Sequence, residues 1–220
     1  MQSKTLNHEL KAQARAALQG HWRTALCVAL TFALLPMIRI LPVIGGPALF
    51  LIYGPMLLGL SRQSLSLARG QAAPYHMLFS GFSQFTTGLG IFFIQWLPFL
   101  LISVGLVLSA RAPLTQSTLL LLSFAPIAIL RYSWSMAFYI AVDHSTYSSW
   151  GALSASWNLM RGNRWKLFCL ELRFIGLILL SILTLGLGLL WLWPYIQVSQ
   201  AKFYDDLRPQ PVKGAIAKPR

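Results

Sequence analysis

Of 220 residues, 56% are hydrophobic and only 10% charged, and 18 basic side chains stand against five acidic ones, for a net charge of +13. Soluble domains carry about 25% charged residues, so this composition argues against a water-soluble domain. The basic residues flank apolar runs, where anionic lipid headgroups lie, and that placement argues against a nucleic-acid partner.

Backbone polar groups cannot stay unpaired in hydrocarbon, and the apolar runs are continuous rather than alternating. The expected fold class is all-α: a polytopic membrane helical bundle of about six spans, as three hairpins each preceded by an interfacial amphipathic helix. Thr5 to Gln19 has helical spacing, with Leu6, Leu10, Ala14, Ala17 and Leu18 on one face and Lys4, Lys11 and Arg15 on the other. Gly20 occupies the capping position, and Trp22 and Arg23 mark the water boundary. The first 23 residues are polar and basic, without a cleavable-signal pattern, so the first apolar run reads as an uncleaved signal anchor.

Span one is expected over Thr24 to Ile38, and Arg39 with Pro42 to Pro47 forms the turn. Span two covers Ala48 to Leu60 and bends at Gly54-Pro55, with Arg62 and Arg69 following it. Pro74 to Phe85 reads as a second amphipathic helix with Tyr75, Leu78, Phe82 and Phe85 sharing a face. Span three covers Thr87 to Ala110, and Arg111 and Pro113 make the turn. Span four covers Ser117 to Val142, with Pro126 and Arg131 inside, and Asp143-His144 ends it. Tyr147 to Arg161 reads as a third amphipathic helix, with Trp150, Leu153, Trp157 and Met160 on one side. Span five covers Leu167 to Leu183, Thr184 to Gly188 turns, and span six covers Leu189 to Tyr204. From Phe174 to Ile196, 23 positions carry no charge.

The expected organisation is one integral membrane domain over residues 1–207, with repeats over 1–70, 71–143 and 144–207, and a disordered basic tail over 208–220. Fourteen basic residues fall on one face, counting Lys202 at the end of span six, and two on the other. The positive-inside rule then puts both termini in the cytoplasm of a bacterial inner membrane.

Chemistry is sparse. The histidines His8, His21, His76 and His144 are scattered without ligand spacing, so neither metal nor cofactor is expected. No nucleophile, base and orienter set stands out, so no enzyme activity is expected. Arg131 is the awkward group: about 11 residues from the cytoplasmic end of a straight span four, it lies roughly 16 Å deep. A charge there costs about 2.5 to 3.5 kcal/mol on insertion scales. Glu171, roughly 6 Å deep in span five, is the acidic residue inside a span, and Arg173 could compete for it or join it. The gap of about 10 Å is at the edge of what two flexible side chains and a water bridge. The candidate polar cavity comprises Arg131, Glu171, Arg173, Tyr132, Tyr195 and Gln197. A packing ion pair and an interfacial aromatic belt are the structural alternatives.

The run Asp143, Ala152-Leu153, Ser156, Met160-x-Gly162, Phe174-Ile175-Gly176, Thr184 to Gly188, Trp191, Pro194-Tyr195, Ala201 and Phe203-Tyr204 resembles the DUF975 family. Ala17 to Trp22, Gly54-Pro55 and Leu78 to Phe82 resemble it too; Arg173 and Leu177 stand where the family usually has a small residue and a Trp. The resemblance implies a bacterial integral membrane protein and supplies no activity.

Two functional readings follow. In the first the chain is a non-enzymatic scaffold or accessory subunit of an envelope or transport system, its partners the bilayer, anionic headgroups and another membrane protein. In the second it is a small transporter or lipid-binding protein that uses the buried Arg/Glu site.

Overall fold

Continuous apolar runs punctuated by glycine and proline become helices throughout. The computed structural model describes residues 5–40, 45–108 and 113–208, with the side chains of 113–117 and 119–121 outside the described set. Lys4, residues 41–44 of the first expected turn, Arg111 in the second and the tail from 209 to 220 lie outside the described residues. The helices are α1 (Asn7–Leu18), α2 (Trp22–Leu34), α3 (Gly45–Ala68), α4 (Phe85–Leu108), α5 (Pro113–Trp134), α6 (Ala137–Asp143), α7 (Ser149–Leu159), α8 (Arg164–Leu183) and α9 (Leu187–Leu207). Two tighter 3-10 segments, Leu35–Ile40 and Tyr75–Gln84, complete the set, and no strand occurs among the described residues. The all-α expectation holds.

Among the described residues three stretches are long and apolar enough to cross a membrane: Trp22–Ile40, Tyr75–Leu108 and Leu122–Asp143. The other long helices are more polar. α8 carries Arg164, Lys166, Glu171 and Arg173; α9 carries Gln197, Gln200, Lys202, Asp205 and Asp206; α3 carries Arg62 and a serine-rich end.

α3 is the spine. It packs against α1, α4, α6, α9 and both 3-10 segments. It runs two turns beyond its expected end, and from Leu58 to Ala68 every residue but Arg62 is buried. Glycine permits the closest approaches. A Cβ on Gly59 would overlap the Leu78 carbonyl oxygen, and one on Gly81 would overlap the Pro55 carbonyl oxygen. A Cβ on Gly54 would lie 2.8 Å from the Gly88 carbonyl oxygen. Backbone therefore meets backbone, the packing mode that lets helices associate in lipid.

Three expectations are corrected. Tyr75–Gln84 winds at three residues per turn, so Leu78 and Gly81 form its inner face, while Tyr75, Phe79, Phe82 and Phe85 are exposed. In α7 the buried face is Ala152, Leu153 and Ser156, followed by Met160, and Trp150 points outward at 66% exposure. α1 keeps its amphipathic form, but Leu10, Ala14 and Leu18 are buried against protein, chiefly α9. Leu6, expected on that face, is exposed.

Span four is broken. α5 ends at Trp134 and α6 begins at Ala137. The α8–α9 turn falls where expected: Leu185 and Gly186 adopt φ of 54° and 83°. Thr184 Oγ1 donates to the Ser181 carbonyl at 2.8 Å and accepts the Gly188 N–H at 3.1 Å.

Gly59→Ala should push α3 off the Tyr75–Gln84 segment and cost about 2 kcal/mol or more. Gly105→Ala, with nothing within 4 Å of the added Cβ, should be neutral or stabilising. Thermal unfolding in detergent compares the two, and equal midpoints would remove the close-approach argument.

Candidate functional site

The break between α5 and α6 builds the site. A helix interrupted inside apolar surroundings leaves backbone groups that must be paired. Ser156, from α7, supplies both missing partners. Its hydroxyl donates to the Ser133 carbonyl at 2.7 Å and accepts the Met136 N–H at 3.2 Å, and both serines are fully buried. Gln95, from α4, donates through Nε2 to the Trp134 carbonyl at 3.0 Å. Ser135 Oγ donates to the Tyr132 carbonyl at 2.9 Å, and Ser133 Oγ donates to the Ile129 carbonyl.

The last turn of α5 then presents Arg131 and Tyr132 to α8. Arg131 Nη2 lies 3.3 Å from Glu171 Oε2 and 3.4 Å from Oε1. The Tyr132 hydroxyl donates to Glu171 Oε2 at 3.0 Å, and Gln200 Nε2, from α9, donates to Oε1 at 3.1 Å. The expected gap between Arg131 and Glu171 closes to direct contact. The depth count assumed one straight helix from Arg131 to Val142, and the break removes that assumption.

A cleft of about 330 Å³ opens beside this pair. Arg131, Glu171, Gln95, Gln197 and Gln200 line it with polar groups, and Leu57, Leu60, Trp96, Phe99 and Phe138 with apolar ones. Gln197 is further tied to α6, since the Tyr139 hydroxyl donates to its carbonyl at 3.2 Å.

Arg173 and Tyr195 are not part of this cleft. Residues two apart on a helix point roughly 200° apart, so Glu171 faces α5 while Arg173 faces α1. Tyr195 turns the same way: its hydroxyl donates to the Lys11 carbonyl at 3.1 Å and its ring meets Phe174 edge-on. Of the six expected residues, Arg131, Tyr132, Glu171 and Gln197 come together, and Arg173 and Tyr195 join a second group with α1.

Sequence reasoning missed the charge clamp at the far end of α3. Arg69 forms a forked pair with Asp143, both contacts at 2.9 Å, and reaches Asp205 at 2.7 Å. Arg208 adds a 2.8 Å contact to Asp143. The ends of α3, α6 and α9 are thereby tied at one point. Hydrogen bonds to Asp143 and then Asp205 hold the Arg69 pKa above its ordinary value, against the cost of burial. The available signal was scarcity: with five acids in the chain, each is a candidate tie between elements. Ser156 was legible only as part of the family pattern.

Among the described residues no three His, Cys, Asp or Glu side chains converge as a metal site. The fold and cleft define an all-helical protein with helices long and apolar enough to span a membrane, and with a charged pair joining α5 to α8. The chain belongs to the DUF975 family, described as a protein of unknown function, whose family model matches residues 1–210. No curated protein and no solved structure matches it.

Ser156→Ala leaves the Ser133 carbonyl and the Met136 N–H without their shared partner, which should cost about 1–3 kcal/mol. Ser154→Ala, removing an exposed hydroxyl bonded within its own helix, should cost much less. Chemical or thermal unfolding of both variants checks the difference.

Proposed function

We propose that this is a multi-pass protein of the bacterial inner membrane that holds an amphiphile in the Arg131 cleft and performs no chemistry on it. One observation carries the reading. Arg131 bonds Glu171 through one guanidinium nitrogen, and its other donors have no hydrogen-bond partner among the described residues. A guanidinium offers five donors, and Arg131 lines a cleft whose surface is part polar and part apolar. That lining suits a molecule with a polar head and a hydrocarbon body. Within a span, an ionisable side chain at a cavity is a functional site by default.

The topology we infer has six crossings: α2, α3, α4, the α5–α6 pair, α8 and α9, with both termini cytoplasmic. The polar groups that set α3 apart from the more apolar spans support this, because they face protein. Ser61 and Ser64 donate to the Leu57 and Leu60 carbonyls at 2.9 and 2.8 Å, and Gln63 donates to the Ala73 carbonyl at 3.4 Å. The scaffold reading rests on three amphipathic segments as a docking surface; the inner faces of α1 and α7 are covered by this chain, while Tyr75, Phe79 and Phe82 of the second segment stay exposed.

Extraction in native lipid particles followed by mass spectrometry tests the cleft. Wild type should carry a stoichiometric amphiphile, and Arg131→Leu should lose it without losing its fold. An amphiphile retained by the variant, or a stoichiometric protein partner with no amphiphile, would sink the reading. For the topology, a reporter fused after Gln71 should be cytoplasmic and one after Arg111 periplasmic; the opposite pattern reverses the orientation.

A further inference from the structure

A second charged group lies across α8 from the cleft. His8, Lys11, Ala12 and Arg15 follow the i, i+3, i+4, i+7 spacing of one helical face of α1, and Arg173 of α8 and Tyr195 of α9 complete an open basin of about 600 Å³. Lys11 is fixed in place: Nζ donates to the Arg173 carbonyl at 3.3 Å and sits 4.6 Å from the centre of the Phe174 ring. Burial, and then the nearby Arg173 charge, push the Lys11 pKa below its ordinary value.

The group has no internal counter-charge. The chain has five acidic side chains, and all are engaged elsewhere. Glu9 accepts the Leu6 N–H, Asp206 binds Thr5, Asp143 and Asp205 bind Arg69, and Glu171 binds Arg131. Arg15 and Arg173 are exposed, with no ion pair or side-chain hydrogen bond among the described residues. Three cations gathered without an anion repel one another, so the arrangement gains stability from an anion supplied from outside.

We propose that this basin binds the phosphate of an anionic phospholipid. The α8 face beneath Arg173 selects a lipid over a soluble phosphate. Gly176, Leu177 and Leu180 follow Arg173 at i+3, i+4 and i+7, all exposed, within a stretch from Phe174 to Ile196 that carries no charge. A headgroup held by Lys11, Arg15 and Arg173 therefore has an apolar track for its acyl chain directly below it. This site is independent of the Arg131 cleft, which lies on the opposite side of α8.

The experiment is native mass spectrometry of the full-length protein in detergent, titrated with phosphatidylglycerol or phosphatidylethanolamine. Wild type should bind phosphatidylglycerol in preference. Arg15→Gln with Arg173→Gln should weaken that binding about twenty-five-fold, at roughly fivefold per basic residue lost near an anionic group. Both side chains are exposed, so the fold should persist, and an unchanged melting temperature verifies it. Arg39→Gln with Arg161→Gln lowers the net charge equally from exposed positions outside the basin and should leave binding intact. Equal losses in the two double variants, or no loss in the first, would overturn the site. Displacement of the lipid by inorganic phosphate or glycerol 3-phosphate at comparable concentration would overturn the lipid assignment.

Discussion

The rest of the fold depends on how closely α3 meets its neighbours. Hydrocarbon solvates a leucine as well as another leucine does, so in a bilayer helices gain little from apolar contact alone and need intimate packing. Gly54, Gly59, Gly81 and Gly88 provide it, because each places backbone where a side chain would otherwise stand. Once α3 is seated, its polar groups have defined partners. Arg62 donates through Nη1 to the Ser80 hydroxyl at 2.9 Å and to its carbonyl at 3.2 Å, tying α3 to the segment its glycines admit. One turn beyond the last buried serine, Arg69 is carried to the point where α6 and α9 end.

Charge works on the same scaffold. In a chain of net charge +13, a carboxylate is the scarce partner, and each one joins segments or finishes a helix. Asp206 fastens the chain entering α1 to the end of α9; Asp143 and Asp205 gather three helix ends on Arg69; Glu171 joins α5, α8 and α9. Glu9 accepts the Leu6 N–H at the start of α1. What remains is an excess of cations, and its location is set by which helix faces the acids leave unserved.

The parts of this structure that depend on composition and local turns were legible in the sequence. Gly20 takes positive φ at the helix end where it was expected, and Gly186 does so within the expected turn. The Arg131–Glu171 pair was legible because an arginine placed inside a span needs an acid and one acid lay inside another, although the Arg131 side chain is 57% exposed in the fold. The parts that depend on tertiary contacts were not. Nothing local marks Ser135-Met136 as a break, since neither glycine nor proline stands there; the break persists because Ser156 and Gln95, distant in sequence, pair the backbone it exposes. The face of Tyr75–Gln84 was misread because a period of 3.0 and one of 3.6 assign different residues inward within two turns. Arg173 was placed with Glu171 by nearness in sequence, where angle around the helix decides.

That angle separates two environments on one helix. On the α5 side of α8, a guanidinium and a carboxylate stand within 3.3 Å, so the net charge is close to zero and the long-range field is weak. On the α1 side the charges share one sign, their field reaches about a Debye length, and it draws in anions before any contact is made. The aligned turns of α8 carry both sides, and the bond from Lys11 to the Arg173 carbonyl together with that from Tyr195 to the Lys11 carbonyl locks α1 to the hairpin. α8 therefore carries both groups, with Glu171 turned to α5 on one side and the Arg173 carbonyl held by Lys11 of α1 on the other.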